Sequence, residues 1–268
     1  MTATMTHRFY DQLTPIIGHR GACGHCPENT LTSFKTAARM GAQWIETDVC
    51  VTSDGVPILF HDDLLNRCTD GKGLVLKTPY EEIKQLDAGK WYSQEFKGER
   101  IPTLQDLIEF CQKHQIKLNL EIKSPVGWEW ETVEAVAPII RNLWDPNWPL
   151  ILSSFNKEAL VAAAQLLPEY PRGLNTEVIP RNWEHLLKQY QCDSLHFYAP
   201  FAEPDKIAAI KQAGYRVLSY TVNDASQGRV LMDMGVDALF TDYPLYMGAA
   251  LNHKDFKHEE DINGLALA

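Results

Sequence analysis

The sequence predicts a (β/α)8 barrel of the α/β class with a small insertion early in the chain. Short apolar runs alternate with amphipathic helical patterns from Ile16 to Thr241, which makes about eight βα units. The length of 268 residues suits a single barrel domain. Hydrophobic residues make up 45% of the chain, which is enough to fill one core of this size.

An open, doubly wound sheet is the rival architecture. Such a sheet normally carries a glycine-rich phosphate-binding loop after its first strand. Gly18, Gly21 and Gly24 do follow the first apolar run, but their spacing is not that of a dinucleotide-binding loop. The barrel is therefore the favoured fold.

The predicted elements follow one another with short connections. Strands are predicted near Ile16 and at 44–49, 57–61, 117–123, 150–155, 172–175, 194–197, 215–221 and 236–241. Helices are predicted at 31–41, 131–143, 157–167, 183–190, 205–213 and 225–234. Asn156 is the expected N-cap of one helix, Gly214 and Gly235 are expected to end two others, and Pro138 is expected to kink or interrupt a third.

Two stretches break this rhythm. From about residue 64 to about 102 the pattern is irregular, which indicates an insertion after the strand that ends at His61. This insertion is expected on the face of the barrel where the strands have their carboxyl ends. From about 247 to 268 the chain is charged, and we expect a loose tail whose His253 and His258 are solvated rather than metal-binding.

The charge and the cysteines limit the partners and the compartment. With 25 basic and 35 acidic side chains the net charge is −10, which argues against nucleic acid or an anionic membrane surface as a partner. No signal peptide and no spanning segment of about 18 apolar residues is evident, so no membrane anchor is expected. The 6 scattered cysteines are typical of free thiols in a reducing cytoplasm. Cys23 and Cys26 form a CxxC pair without a second pair, so we interpret them as small residues in a turn.

Acidic side chains interrupt two of the predicted strands. Glu46 and Asp48 are two residues apart, so both face the same side of their strand. Burying two carboxylates together is costly unless a cation lies between them. Glu121 ends another strand and is the natural third ligand. An all-oxygen site favours Mg²⁺ or Ca²⁺, with Mn²⁺ as a further choice. The alternative is that these acids form ion pairs with basic side chains, for which Arg20, Lys123 and Arg39 are the candidates.

Basic side chains accompany these acids at the strand ends. Lys123 shares the face of Glu121, and such a cation beside a metal site is redundant unless an anion such as phosphate binds between them. Arg20 permits the same interpretation. His19 and His61 also end strands, and two histidines near a phosphate would supply an acid and a base.

Three other histidines, His114, His185 and His196, are expected to be structural, although His196 could line the pocket. Asp62-Asp63 after His61 resembles the HD metal motif. That motif belongs to all-helical proteins, and the surroundings here are strand-like.

A series of motifs runs through the chain in a fixed order. The first are His19-Arg20-Gly21, Pro27-Glu28-Asn29-Thr30, Glu46-Thr47-Asp48-Val49 and the segment 54–62. The next are Leu86-Asp87-Ala88-Gly89, the segment 98–104, Leu120-Glu121-Ile122-Lys123, Thr221-Val222-Asn223 and Phe240-Thr241-Asp242-Tyr243-Pro244. In this order and over nearly the whole chain, the set resembles the glycerophosphodiester phosphodiesterase family.

The resemblance implies roles for particular residues. It implies a (β/α)8 barrel with a divalent-metal site whose ligands are Glu46, Asp48 and Glu121. It makes His19 and His61 the catalytic pair, and assigns the phosphate to Arg20 and Lys123. Two features depart from the family. Cys23 and Cys26 lie where Ser and a small apolar residue are frequent, and Tyr220 stands where Trp is common, which would alter the pocket wall and the preferred head group.

The expected activity is metal-dependent hydrolysis of a small glycerophosphodiester to glycerol 3-phosphate and an alcohol such as choline or ethanolamine. The two histidines would act as acid and base, and a cyclic phosphate is one route. A lyase-like barrel that acts on a lysophospholipid is one alternative, and a non-catalytic phosphodiester-binding barrel is another. The insertion carries Trp91, Tyr92 and Phe96, which would supply the apolar entrance that the lysophospholipid alternative requires. The insertion itself is expected to cover one side of the pocket and to select the alcohol. The sequence leaves the oligomeric state open.

Overall fold

Eight parallel strands close into a barrel in the computed structural model, which describes residues 8–252. The barrel strands are β1 (Ile16–Gly18), β2 (Trp44–Val51), β4 (Lys117–Ile122), β5 (Leu150–Ser154), β6 (Arg172–Thr176), β7 (Ser194–Tyr198), β8 (Arg216–Tyr220) and β9 (Ala238–Thr241). They neighbour one another in the order β1-β9-β8-β7-β6-β5-β4-β2, and β1 also pairs with β2 at Gly18 and Ile45. The predicted (β/α)8 fold is confirmed.

Helices lie outside the barrel strands, and the short one at Tyr80–Ile83 belongs to the insertion. They are α1 (Leu31–Arg39), α2 (Tyr80–Ile83), α3 (Leu104–His114), α4 (Glu129–Leu143), α5 (Lys157–Leu166), α6 (Trp183–Gln189), α7 (Pro204–Gln212), α8 (Ala225–Asp233) and α9 (Pro244–Ala250). The side chains of Thr30, Asn156 and Asp224 cap α1, α5 and α8 by accepting backbone N–H groups. Helix α4 is not interrupted at Pro138, which lies inside it.

The strand before His61 is not part of the barrel. This strand, β3 (Pro57–Leu59), runs antiparallel to the end of β2, with Val49 opposite Leu59 and Val51 opposite Pro57. Only a short turn with Gly55 at φ 77° joins β2 to β3. Such a connection is too short for the helical crossover that a parallel neighbour requires, so the chain must fold back on itself.

The insertion expected after His61 has a small core of its own. It contains α2 and two short 3₁₀ turns at Val75–Lys77 and Gln94–Phe96. The side chains of this core come from β2, β3 and the insertion: Cys50, Ile58, Phe60, Leu65, Cys68, Val75, Ile83, Ala88 and Ile101. Packing against strand residues anchors the segment to the rim of the barrel.

The bottom of the barrel interior is apolar and filled. A cluster of inward-facing residues occupies it: Tyr10, Ile17, Trp44, Ile151, Leu218, Ala238 and Phe240. Trp44 donates its indole N–H to the carbonyl of Gln12 at 2.9 Å, so the N-terminal segment closes this end. Polar inward-facing residues are left for the opposite end, where the strands have their carboxyl ends.

The end of the chain differs from the expected loose tail. Helix α9 continues to Ala250, and Met247 within it is fully buried. Residues 253–268, which include His253 and His258, lie outside the described part of the chain. That residues 1–268 form one domain stays a prediction.

Candidate active site

An open cavity of about 240 Å³ lies at the carboxyl ends of the barrel strands. Seven of the residues singled out from the sequence line it: His19, Arg20, Glu46, His61, Glu121, Lys123 and Tyr220. The eighth, Asp48, is buried beside Glu46 and Glu121. The fold therefore brings together side chains that are up to 201 positions apart in the sequence.

Two neighbouring strands hold the three acids. Glu46 and Asp48 face the same side of β2, and the parallel register with β4 sets Glu121 opposite Asp48. One carboxylate oxygen from each acid lies within 4.8 Å of the others. This spacing allows a single cation to contact all three.

Basic side chains partly compensate these acids, as the ion-pair alternative expected. Arg20 Nε lies 3.3 Å from Asp48 Oδ2, and Lys123 Nζ lies 3.1 Å from Glu121 Oε1. Among the described residues, Arg39 forms no ion pair with these acids. Within residues 8–252, Glu46 accepts a hydrogen bond only from the backbone N–H of Arg20, at 3.0 Å, and His19 Nε2 lies 4.0 Å away. The ion pairs therefore leave Glu46 without a close cationic side chain in the described structure.

The pKa values of Glu46 and Glu121 are raised, as expected where positive charge is in short supply. Burial, together with the charges of Asp48 and Glu121, raises the pKa of Glu46 well above its usual range. Burial and Asp48 raise the pKa of Glu121 to about 7. Burial alone would also raise the pKa of Asp48, but Arg20, His61 and Lys123 outweigh it and lower that pKa. The three buried oxygens thus fit a hard divalent cation, which would relieve the repulsion between them.

Asn29 holds Asp48 in place. Its side-chain amide donates to Asp48 Oδ2 at 2.9 Å, and its carbonyl oxygen accepts from the Thr47 hydroxyl at 2.7 Å. The loop that carries Asn29 folds tightly at Gly21, where φ is 88° and a Cβ would lie 2.7 Å from the backbone of Ser33. Only glycine fits at position 21, because any side chain would clash with the backbone of Ser33.

An aspartate orients His19. His19 Nδ1 lies 2.7 Å from Asp242 Oδ1, so the Nδ1–H donates and Nε2 is left facing the acids. Asn223 also donates to Asp242, at 2.6 Å, and the thiol of Cys23 does so at 2.9 Å. Burial alone would raise the pKa of Asp242, but the bonds from His19, Cys23 and Asn223 lower it, so this carboxylate stays ionised.

The antiparallel strand β3 delivers His61 to the same site. The backbone N–H of Phe60 donates to the carbonyl of Asp48 at 3.0 Å, which sets the next residue beside the acids. His61 Nδ1 lies 2.6 Å from Asp62 Oδ1. Both histidines therefore use Nδ1 on a carboxylate and keep Nε2 for the cavity.

An arginine of the insertion joins the two sides of the site. Arg67 donates to both oxygens of Asp62, at 2.7 and 2.8 Å, and to both oxygens of Glu28, at 2.7 and 2.8 Å. Glu28 in turn accepts from Arg20 at 2.7 Å. A continuous series of charge-assisted hydrogen bonds therefore runs from His61 to Arg20.

Sequence reasoning missed this series and the partner of His19. In the sequence Asp62 belongs only to a possible metal motif, and Arg67 lies in a segment without a regular pattern. Asp242 belongs to one of the quoted motifs, but it lies 223 positions from His19. No local signal could have paired residues at that separation.

Aromatic side chains form one wall of the cavity. Tyr220 lies between Phe155 and Tyr198, with ring centroids at 5.7 and 6.0 Å, and its hydroxyl donates to the carbonyl of Thr176 at 2.8 Å. None of the described side chains that line the cavity comes from the insertion. The side of the cavity that the insertion was expected to cover is instead formed by Tyr198 of β7, Tyr220 of β8 and Phe155 in the loop after β5.

Further lining residues were not foreseen from the sequence. They are Asn119, Ser153, Asn175, Thr221 and Phe240. His196 lines the cavity too, and the sequence had allowed it that place. Most of them occupy alternate, inward-facing positions on the barrel strands. That alternation was the available signal, once the barrel itself was assumed.

Comparison with known proteins decides the family. The model of the glycerophosphoryl diester phosphodiesterase family matches residues 19–246. The chain belongs to this family. The prediction of a barrel phosphodiesterase acting on glycerophosphodiesters is therefore confirmed.

Individual relatives resemble the chain over nearly its full length. It is 35% identical to the protein YhdW of Bacillus subtilis, over 91% of this chain and 98% of that one. It is 33% identical to the glycerophosphodiester phosphodiesterase of Caldanaerobacter subterraneus, over 86% of this chain and 95% of that one.

Among solved structures, an Oleispira antarctica phosphodiesterase in complex with the product sn-glycerol-3-phosphate has a TM-score of 0.90. It is 44% identical, with 91% of this chain and 99% of that chain covered. A glycerophosphodiester phosphodiesterase from Agrobacterium tumefaciens superposes with a TM-score of 0.77 at 27% identity, covering 88% and 100% of the two chains.

Within residues 8–252, every helix is too short or too polar to span a bilayer.

The acid cluster predicts how pH acts on the metal-free protein. Folded Glu121 keeps its proton up to a pKa of about 7, whereas an unfolded glutamate has a pKa of about 4.3. Its raised pKa therefore favours the folded state at low pH, and this stability is lost as the pH rises from about 4.3 to about 7. Urea unfolding in EDTA should show the loss for the wild type and a smaller loss for Glu121→Gln.

The exposed Glu134→Gln is the matched control and should follow the wild type. Adding Mg²⁺ or Ca²⁺ at pH 7.5 should raise the unfolding midpoint of the wild type more than that of Glu121→Gln. Identical pH profiles for the wild type and Glu121→Gln would contradict the assignment of repulsion to this cluster.

Proposed function

We propose that the enzyme splits glycerophosphodiesters into glycerol 3-phosphate and an alcohol, with one divalent cation held by Glu46, Asp48 and Glu121. The supporting observation is that three close carboxylates and two carboxylate-oriented histidines face one cavity. Mg²⁺ or Ca²⁺ is the proposed ion, and Mn²⁺ is the third choice. The Oleispira antarctica relative binds sn-glycerol-3-phosphate, which supports the same product here.

Arg20 and Lys123 are proposed to hold the phosphate. Each lines the cavity and already faces an acid of the cluster. An anionic phosphate beside them adds a second partner for each cation, and the guanidinium of Arg20 can donate more than one hydrogen bond to it. When it is bound, the cation supplies positive charge that offsets the phosphate and favours loss of a proton from the attacking hydroxyl.

His19 and His61 are proposed to divide the proton transfers. Each has Nδ1 fixed on an aspartate, so each presents Nε2 to the cavity as the reactive atom. One histidine removes the proton of the neighbouring glycerol hydroxyl, whose oxygen attacks phosphorus. The other gives a proton to the departing alcohol, and the roles reverse when water opens the cyclic phosphate. Attack from within the substrate has the advantage of proximity.

The alcohol is proposed to leave along the aromatic wall. Phe155, Tyr198 and Tyr220 form that wall, and a choline or ethanolamine head group binds favourably over such rings. Tyr220 is thus the proposed substrate-binding residue on this side.

A second candidate substrate has its own supporting observation. Phe155, Tyr198 and Phe201 near this wall are 43%, 41% and 47% exposed. An exposed apolar rim is what a lysophospholipid would require, so the lyase-like activity stays the alternative substrate class. The non-catalytic alternative is disfavoured, because both histidines keep the aspartate partners that an acid–base pair needs.

A cytoplasmic location is part of the proposal. All 6 cysteines are free thiols, and five of them are buried. Free cysteines are typical of a reducing compartment.

The function is tested by the release of glycerol 3-phosphate from glycerophosphocholine. Excess EDTA should abolish release by the wild type, and Mg²⁺ or Ca²⁺ should restore it. Glu46→Gln should lose nearly all activity, whereas the exposed Glu134→Gln should keep it. Full turnover in EDTA would refute the three-carboxylate metal site, and release of a cyclic phosphate from lysophosphatidylcholine alone would favour the alternative.

The two histidines should respond differently to the leaving group. His19→Ala and His61→Ala should each lower kcat by roughly 10²- to 10⁴-fold. A p-nitrophenyl leaving group needs no proton, so it should partly rescue the variant that lacks the acid and leave the other variant unrescued. The rescued variant identifies the acid. Rescue of both or of neither variant would refute the division of roles.

The same assay examines the cyclic route. A substrate without the neighbouring glycerol hydroxyl should react poorly with the wild-type enzyme, because it has lost the attacking oxygen. Equal rates on both substrates would instead indicate direct attack by water.

Arg67 should affect catalysis by positioning Asp62 and Glu28 and not by touching the substrate. Arg67→Gln removes the hydrogen bonds that hold Asp62 and Glu28, and a small displacement of His61 costs roughly tenfold to a hundredfold in kcat. The loss should fall on kcat more than on KM, and Arg67→Lys should recover part of it. Arg100→Gln is the matched control, since Arg100 lies in the same insertion and, in the described part of the chain, donates only to the carbonyls of Gln85 and Leu86. Equal losses in both variants would mean that the insertion serves only stability.

A further inference from the structure

A thiol, an imidazole and a carboxylate meet at the rim of the active site. Cys23 Sγ lies 2.9 Å from Asp242 Oδ1 and 3.8 Å from His19 Nδ1. His19 Nδ1 lies 2.7 Å from the same carboxylate oxygen. The three residues offer ligand atoms that all lie within 4.8 Å of one another, so a single ion can contact all of them. We call Cys23, His19 and Asp242 the thiol cluster.

The thiol cluster differs from the acid cluster in its chemistry. It offers one sulfur, one nitrogen and one oxygen atom, whereas Glu46, Asp48 and Glu121 offer oxygen alone. Zn²⁺ binds thiolate, imidazole and carboxylate ligands, whereas Mg²⁺ and Ca²⁺ prefer oxygen. The two clusters share no residue, so a softer ion can occupy the thiol cluster while a hard ion occupies the acid cluster.

Backbone hydrogen bonds hold the two loops of the thiol cluster together. The N–H of His19 donates to the carbonyl of Thr241 at 2.9 Å. The N–H of Gly24, next to Cys23, donates to the carbonyl of Asp242 at 3.0 Å. Because the ligand residues are placed before any ion binds, little conformational freedom is lost on binding.

The distances within the cluster are close to those of a zinc site. Zinc bonds of about 2.3 Å to sulfur and about 2.0–2.1 Å to nitrogen or oxygen set tetrahedral ligand atoms roughly 3.3–3.6 Å apart. The sulfur–nitrogen distance of 3.8 Å approaches this value. The distances of 2.7 and 2.9 Å to Asp242 Oδ1 must lengthen by roughly 0.6 Å, since bonds to the ion replace hydrogen bonds. That movement is small compared with the reach of the three side chains.

Cys23 is accessible, whereas the other thiols are not. Of the 6 cysteines, all within residues 8–252, Cys23 is the one that is partly exposed. The side chains of His19 and Asp242 are 18% and 25% exposed, so an ion can reach the cluster. Cys26, the other half of the CxxC pair, is buried, and its thiol donates to the Thr36 hydroxyl at 3.2 Å. The two cysteines of the pair therefore have different surroundings, and Cys23 alone belongs to the cluster.

Without a metal, the Cys23 thiol is a hydrogen-bond donor and not a nucleophile. Burial, together with the negative charge of Asp242, raises the pKa of this thiol well above its usual range. The proton therefore stays on sulfur, which donates to Asp242 Oδ1. A metal ion displaces such a proton when it binds, because the ligand is the thiolate. The cluster is therefore suited to a metal ion rather than to thiol redox chemistry.

We propose that the thiol cluster is an inhibitory Zn²⁺ site. Zinc takes Cys23 Sγ, His19 Nδ1 and Asp242 Oδ1 as ligands, and water fills the fourth position. The proton of the Cys23 thiol is released to water. The zinc bond replaces the Nδ1 proton of His19, and the neutral ring then carries its one proton on Nε2. One proton is released in total for each ion bound.

Zinc in this position disables His19. This inference rests on the proposed function, in which His19 Nε2 accepts or gives a proton. A neutral, metal-bound ring that carries its proton on Nε2 cannot accept another there, and it gives that proton up far less readily than an imidazolium does. The histidine is therefore lost in either role, although the acid cluster is left intact.

Zinc inhibition of the full-length, Mg²⁺-loaded enzyme tests the site. Release of glycerol 3-phosphate from glycerophosphocholine is measured against free Zn²⁺ held by a metal buffer, and each variant is compared with its own zinc-free rate. The wild type should be inhibited, and excess Mg²⁺ should not relieve the inhibition. Cys23→Ser keeps a hydroxyl donor for Asp242 but loses the sulfur ligand, so half-inhibition should need at least about tenfold more Zn²⁺.

Cys26→Ser is the matched control, since Cys26 belongs to the same turn but donates to Thr36. Its response to zinc should equal that of the wild type. Cys23→Ala repeats the measurement if Cys23→Ser does not fold, as judged by thermal unfolding.

Cobalt reports the bond to sulfur directly. Co²⁺ accepts the same ligands as Zn²⁺, and a Co²⁺–thiolate bond absorbs strongly in the near ultraviolet, whereas nitrogen and oxygen ligands do not. Co²⁺ added to the Mg²⁺-loaded protein should produce this absorption in the wild type and in Cys26→Ser, and not in Cys23→Ser. Added Zn²⁺ should abolish it.

Equal inhibition of the wild type and Cys23→Ser would overturn the inference, and relief by excess Mg²⁺ would then place the zinc at the acid cluster. Thiolate–cobalt absorption without inhibition by zinc would overturn the inhibitory role. An enzyme that releases no glycerol 3-phosphate even without zinc would instead refute the proposed function, and the cobalt absorption would still decide whether the thiol cluster binds metal.

Discussion

The burial of three carboxylates at one end of the barrel is the constraint on which the site depends. Glu46, Asp48 and Glu121 share a space in which their oxygens repel one another and little water screens them. Two neighbouring cations compensate part of this negative charge, because Arg20 pairs with Asp48 and Lys123 pairs with Glu121. The pKa values of Glu46 and Glu121 are still raised, so this compensation is incomplete and the cluster is suited to a further cation.

The insertion contributes to the site indirectly, by positioning residues that contact the cavity-lining side chains. Its aromatic side chains pack among themselves, with Trp91 against Tyr92 and Tyr92 against Phe96. Arg67 is the residue that reaches the site, where it holds both Asp62 and Glu28. A bidentate arginine fixes direction as well as distance, so a segment outside the barrel can align groups on two separate loops.

The two sides of the cavity have different chemistry because different strands build them. Inward positions on β4 to β7 carry amide, hydroxyl and imidazole groups, whereas the last residues of β7 and β8 and the loop after β5 add aromatic rings. A diester has two unlike arms on one phosphate. A cavity with two unlike sides can therefore orient its substrate without touching the reacting atoms, and binding energy from such remote parts is what catalysis can use.

The sequence by itself determined the βα order, the family and the acids, histidines and cations that meet at the site. Period-two alternation on β2 put Glu46 and Asp48 on one face, and motif order supplied the rest. Only the tertiary structure decided that β3 runs antiparallel, that Asp242 orients His19, and that Arg67 rather than an aromatic side chain links the insertion to the site. Those contacts join positions far apart in the chain or lie in irregular segments, so no local periodicity encodes them. They follow from closing the barrel, which brings the strand ends together.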